Sequence, residues 1–244
     1  MNRHDIDATL PWMREGTTHL LAVVDKLGDQ ELYRPSTLPG WTRAHVVGHL
    51  ARNAEALSRL ARWASTGVET PMYANAEQRA AEIERSATLP APTLREDLTA
   101  TAAALDRALS ALTAEQWRAQ VRSALGRAIP AAEVPWMRIR EVWLHAVDLG
   151  AGATVGDLPE GVVDLLLDDV TSALSAKDGC PPLVLAPLDR DRTWSLGQGE
   201  PAGTVEASAA DLAGWLTGRL PDTGQVAATD RLSAADLPPL PRWL

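Results

Sequence analysis

Before Gly150, apolar residues recur every three to four positions in one segment after another, and this constrains the fold more than any other feature of the chain. That period belongs to helices that bury one side. Thr17 to Leu27 puts Leu20, Leu21, Val24 and Leu27 on one stripe, with Gly28 following as a stop signal. Pro39-Gly40 marks a turn, after which Thr42 can cap a second helix running to about Ser65, with Val46, Leu50, Leu57 and Leu60 on its apolar side. Thr93-x-x-Glu96 has the form of a capping box and predicts the start of a third helix, in which Leu98, Leu105 and Leu112 repeat by sevens. A fourth runs from near Val134 to Gly150, with Ile139, Val142, Trp143, Ala146 and Val147 covering one broad side. Four long helices joined by loops predict a mainly α four-helix bundle over residues 1–150.

After Gly150 the pattern changes. A helix at about 159–176 precedes short strand-like runs at 183–188, 193–196 and 204–207, separated by Gly, Pro and Asp as hairpin connections would be. Ser208-x-x-Asp211 opens a final helix that ends at Arg219, and the Pro-rich stretches 90–92 and 237–241 read as a loop and a tail. Residues 151–244 therefore predict a small α+β domain with a short antiparallel sheet.

Composition narrows the function classes. The chain of 244 residues carries a net charge of −9, and 14 acidic residues face only 6 basic ones after Gly150. A nucleic-acid binder needs a basic face, so that class is disfavoured. No apolar run approaches the roughly 20 residues that span a bilayer, and MNRHDIDATLPWMREG lacks the apolar core of a secretory signal. Cys180 is the single cysteine, which excludes an internal disulfide and a cysteine-cluster metal site. The expectation is a soluble, cytoplasmic protein with no nucleic-acid or membrane partner, a monomer being favoured.

Chemistry must then draw on five histidines and their carboxylate neighbours. His45-x-x-x-His49 puts two imidazoles on one side of the second helix, but Val46 stands where a zinc protease needs its catalytic Glu. His45, three residues after Thr42, reads as a helix-end residue bonding locally. His49 lies on the inward stripe with Val46, Leu50 and Asn53. Glu141-x-x-x-His145 places a carboxylate and an imidazole one turn apart on a helix that is apolar almost all round. Neither group tolerates burial unless paired or bound to a cation. An Arg138–Glu141 salt bridge with a His145–Asp148 hydrogen bond is one solution; a metal is the other, and spacing alone leaves both open. Adding His49 completes the two-His, one-Glu set of a catalytic zinc site, although other divalent ions also suit such ligands. Arg219 can serve as a cation at a helix C-terminus or as a guanidinium fork for a substrate carboxylate. Nothing near Cys180 would activate it as a nucleophile. The nine tryptophans read as core or cleft wall.

The stretches LPGWTRAHVVGHLARNAEAL (38–57), TGVETPMY (66–73), PWMRIREVWLHAVDLG (135–150), DLAGWLTGR (211–219) and the terminal PRWL resemble the mycothiol-dependent maleylpyruvate isomerases, within the DinB-like metal-binding superfamily. The resemblance implies zinc ligands at His49, Glu141 and His145, and an important arginine at Arg219 facing the cleft, with Arg138 as a second candidate for the substrate carboxylates. It implies two cofactors, Zn²⁺ (or another divalent ion) and mycothiol, and a small dicarboxylate substrate. The implied reaction is the cis-trans isomerisation of maleylpyruvate to fumarylpyruvate in gentisate catabolism, by reversible addition of a zinc-associated thiolate; alternatively the metal polarises the substrate carbonyl. Rival readings are a mycothiol S-transferase or metal-dependent hydrolase on the same fold, or a non-enzymatic DinB-like metal-binding stress protein.

Overall fold

The computed structural model describes residues 2–220, 227–229 and 237–243. The chain divides into two compact units, Asn2–Ala153 and Thr154–Leu244.

The first unit is helical. Helix α1 spans Ile6–Asp25, capped by the Asp5 side chain on the Asp7 amide. It starts about three turns earlier than the apolar stripe from Thr17 predicts, because the chain stays helical through Pro11 near its N-terminus. α2 spans Arg43–Thr66. Its Thr42 cap accepts from the His45 amide, while the His45 ring returns to the Thr42 amide, so an imidazole does what a glutamate does in the usual capping box. α3 spans Ala76–Ala87 and was not expected: its sequence AEQRAAEIERSA is mostly charged, polar or alanine and buries only Ile83, Ser86 and Ala87. α4 spans Ala91–Ser110. Its start corrects two expectations. The Thr93-x-x-Glu96 box does not open it, and 90–92 is not a loop, because Pro90 holds the cap position and a proline in the first turn loses no helical hydrogen bond. α5 spans Val134–Asp148, again with a proline in its first turn.

These helices bury Leu20, Leu50, Leu57, Leu98, Leu105 and Ile139 completely or nearly so. α2 packs against α4, α5 and α3, and α1 packs against α5. Gly48 sets the α2–α3 approach: a Cβ there would meet Ser86 Cβ at 2.6 Å. Between α4 and α5 the chain forms a hairpin, β1 (Gln120–Arg122) with β2 (Ala128–Pro130), in which Val121 faces Ile129 and both are buried.

In the second unit, α6 (Glu160–Ser175) packs on α7 (Ala209–Thr217) beside a four-stranded sheet. The strands β3 (Leu183–Pro187), β4 (Trp194–Leu196), β5 (Thr204–Ala207) and β6 (Ala227–Thr229) lie in the order β4-β3-β5-β6. β3–β4 and β5–β6 are antiparallel, as hairpin-like connections imply, but β3–β5 is parallel, so the sheet is mixed. The cause is topological. β4 takes one edge of β3, and after a second reversal the chain reaches the other edge running the way it began. Ser208 caps α7 through the Asp211 amide, as its spacing predicts. The helix ends at Thr217, however, with Gly218 as a left-handed cap (φ 71°), so Arg219 lies just beyond the helix and does not close it. Residues 237–243 have no regular secondary structure, and the Trp243 side chain is buried while its carbonyl accepts from Lys177 Nζ at 2.8 Å.

Candidate metal centre

α2 brings His49 inward because the same stripe carries Val46 and Leu50, both buried completely. α5 brings Glu141 and His145 to one side by their four-residue spacing. Ligand-capable atoms of His49, Glu141 and His145 all lie within 4.8 Å of one another, and no other such group of His, Cys, Asp and Glu occurs among the described residues. Glu141 Oε2 is 2.8 Å from His49 Nε2 and 3.3 Å from His145 Nε2. The His49 side chain is 4% exposed, whereas Glu141 and His145 are 28% and 16% exposed, so solvent reaches one side of the group.

Charge and burial work in opposite directions here. Burial pushes His49 below the ordinary histidine range, partly offset by the Glu141 carboxylate. Burial would raise Glu141, but its two imidazole neighbours outweigh that and hold it well below the usual carboxylate value. For His145, burial opposes the charged ring, yet hydrogen bonds with Asp148 and Glu141 raise its pKa. A negative carboxylate between two imidazoles, each presenting Nε2 to the same point, is the donor chemistry of a divalent ion with mixed nitrogen and oxygen ligands. His145 is held in the required orientation by Asp148, whose Oδ2 sits 2.8 Å from Nδ1. Three protein donors are one fewer than a closed structural zinc site employs.

The other sequence candidates fall as follows. His45 keeps to local bonding: Nδ1 lies 2.7 Å from Thr42 Oγ1, and Nε2 lies 3.3 Å from Glu84. Arg138 forms no salt bridge with Glu141 among the described residues. It is 1% exposed, and Nη1 donates to the Leu50 carbonyl and to Asn53 Oδ1, both at 2.8 Å. Burial pushes its pKa down to about 10 against the opposing influence of Glu141 and Tyr73. Arg219 belongs to the second unit, where Nη1 donates to the Thr217 carbonyl at 2.9 Å, the contact expected of a cation at a helix C-terminus. Burial raises the Cys180 thiol, which disfavours its thiolate.

Sequence reasoning gave no role to three neighbours of the centre. Trp41 stacks on His45 at 6.2 Å and leans on His49 at 5.6 Å between ring centroids. Arg79, on α3, brings Nη2 to 3.4 Å from His49 Nδ1, and its guanidinium lies 5.7 Å from the centre of the Tyr73 ring. The Pro-Gly-Trp turn before Thr42 was a usable signal for Trp41. Arg79 had none, being one charge among many in a helix that was not expected.

Residues 13–150 match the sequence profile of the mycothiol maleylpyruvate isomerase N-terminal domain. Two crystal structures superimpose over all of this chain and all of theirs. One, of a mycothiol-dependent maleylpyruvate isomerase, gives a TM-score of 0.91 at 36% identity. The other, a histidine-to-alanine mutant of such an isomerase, gives 0.90 at 35% identity. No curated protein matches the sequence.

Proposed function

Because the chain belongs to the mycothiol-dependent maleylpyruvate isomerase family, we propose that it converts maleylpyruvate to fumarylpyruvate, using mycothiol and a divalent ion, zinc by preference, held by His49, Glu141 and His145. The observation that carries this reading is the convergence of those three side chains, from two helices, on one partly exposed point. Mycothiol supplies a soft thiolate whose reversible addition turns the substrate's double bond into a rotatable single bond, and the metal supplies positive charge that favours thiolate over thiol.

The chain's own residues prepare the site for this chemistry. Asp148 fixes the His145 ring so that Nε2 is presented toward Glu141. Burial favours the uncharged form of His49, the form a metal ligand requires. Trp41 covers one side of His49 and limits water there. Arg138 contributes a fixed positive charge from within the bundle, and Arg219 supplies a guanidinium for a substrate carboxylate. Cys180 is a poor replacement for the external thiol, since burial raises its pKa. Dependence on a free low-molecular-weight thiol fits the reducing cytoplasm. No helix among the described residues is long and apolar enough to cross a membrane.

The decisive assay mixes zinc-loaded protein with maleylpyruvate, with and without mycothiol. Fumarylpyruvate should form only with the thiol, and the thiol should be recovered unchanged. Turnover without thiol, net thiol consumption or a hydrolysis product contradicts the proposal; the last two are what an S-transferase and a hydrolase would give.

A further inference from the structure

Three cationic or phenolic groups cluster beside the metal centre with more hydrogen-bonding capacity than the protein satisfies. Arg138 is 1% exposed and commits only Nη1; its Nε and Nη2 are buried with no hydrogen-bond partner. The Tyr73 hydroxyl is likewise buried, and its neighbour Arg79, a pure donor, leaves the phenolic O–H without an acceptor. Arg79 reaches between Tyr73 and His49, but no carboxylate among the described residues forms an ion pair with it. Its 3.4 Å contact with His49 Nδ1 is long for a hydrogen bond.

Buried donors without acceptors are costly and rare in folded proteins. Arg138 and Tyr73 lie near enough to feel each other's charge, with Arg79 against the Tyr73 ring, and such a neighbourhood marks where an acceptor belongs. The acceptor chemistry is set by the donors: two guanidinium groups and a phenol call for an oxyanion, and a planar carboxylate matches a guanidinium fork. Glu141 does not fill that role, because its carboxylate is already shared between His49 and His145.

We propose that Arg79 and Tyr73 form a carboxylate seat beside the metal centre, receiving one carboxylate of a dicarboxylate ligand, with buried Arg138 as the fixed charge behind it. The substrate class rests on the isomerase reading, whereas the seat itself rests on the unpaired donors. Arg79 binds the carboxylate directly and sets the preference for dicarboxylates over monocarboxylates. Tyr73 adds a hydroxyl donor and holds the Arg79 guanidinium through its ring face. Gly48 allows this arrangement, since only a residue without a side chain lets α3 approach α2 closely enough for Arg79 to reach His49.

The test uses the zinc-loaded full chain and two probes, maleate and acrylate, which differ by one carboxylate. Their binding is measured by calorimetry without thiol, and zinc content is measured in parallel. The natural sequence should bind maleate more tightly than acrylate. Arg79→Gln should keep its zinc and its acrylate affinity while losing about 10- to 100-fold in maleate affinity, the range for one charge-assisted hydrogen-bond pair. Arg79→Lys should recover part of that loss. Tyr73→Phe removes only the hydroxyl and should lose several-fold, which keeps the proposal testable if Arg79→Gln folds poorly. Equal binding of both probes by the natural sequence overturns the seat. So does an Arg79→Gln protein with unchanged maleate affinity, or one that loses zinc, which would make Arg79 a support for His49. A protein that fails to isomerise maleylpyruvate yet shows the Arg79-dependent preference keeps the seat and loses the reaction.

Discussion

Asp148 Oδ2 lies 2.8 Å from Nδ1 of His145, three residues earlier on the same helix, and Asp148 is itself 1% exposed. Thr37 ties down the other end of this relay, its amide donating to the Asp148 carbonyl at 2.9 Å and its hydroxyl at 3.1 Å. Sequence spacing offered the His145–Asp148 bond as an alternative to a metal. In the fold the two are compatible, because the bond occupies Nδ1 and leaves Nε2 toward Glu141.

The first prediction follows directly. Asp148→Ala should weaken zinc binding about 10- to 100-fold, the usual effect of removing a carboxylate that orients a ligating histidine. Competition with a chromophoric chelator measures this. An unchanged affinity would mean that Asp148 serves only the fold.

A second concerns Gly48. Its missing side chain lets Ser86 Cβ come within 2.6 Å of where a Cβ would stand. Gly48→Ala should cost about 1–3 kcal/mol through overpacking, and adding Ser86→Gly should recover much of it. Urea denaturation of the single and double variants gives the coupling. Additive losses would show that the two positions do not press on each other.

Glu133, almost wholly buried at the start of α5, ties the N-terminal segment to the bundle. His4 Nε2 is 3.0 Å from its Oε2, and Arg127 Nη2 bonds its Oε1. Burial opposes its charge, but the Arg127 and His4 hydrogen bonds and the Arg3 charge outweigh this, holding its pKa below the ordinary value. A depressed carboxylate stabilises the fold fully above its unfolded pKa of about 4.3 and loses that contribution as pH falls through the folded value. Glu133→Gln should therefore lower stability at neutral pH by about 1–3 kcal/mol, with the gap to the natural sequence closing below about pH 4. Thermal unfolding across pH tests it; a gap that widens in acid contradicts the assignment.

These sites also show what could be read in advance. The helical stripes located α2 and α5 because each buries a continuous apolar side, and that alone placed His49, Glu141 and His145 inward. α3 escaped because it buries one large apolar residue, Ile83, and so carries almost no periodic signal. Losing α3 meant losing Arg79. Orientation of β5 along β3 was illegible for another reason: strand direction depends on which edge is vacant, and composition carries no record of that. The final helix was read two residues too long, to Arg219 instead of Thr217, because a left-handed Gly218 stops α7 where the apolar pattern alone does not.

For Arg219, the proposed role separates binding from metal retention. Arg219→Ala should leave zinc content intact and raise KM for the dicarboxylate about tenfold or more, the loss expected when a charge-assisted hydrogen bond is removed. Steady-state kinetics beside metal analysis checks this. Unchanged kinetics would remove Arg219 from the substrate site and leave it a structural role that includes its contact with the Thr217 carbonyl at the end of α7.

The most direct test of the account is anomalous diffraction at the zinc edge from crystals of the zinc-loaded protein. It should show one peak per chain, about 2.0–2.2 Å from a nitrogen of His49, a nitrogen of His145 and an oxygen of Glu141. A fully occupied zinc elsewhere on the chain, or no peak at these residues in protein shown to carry stoichiometric zinc, would contradict it.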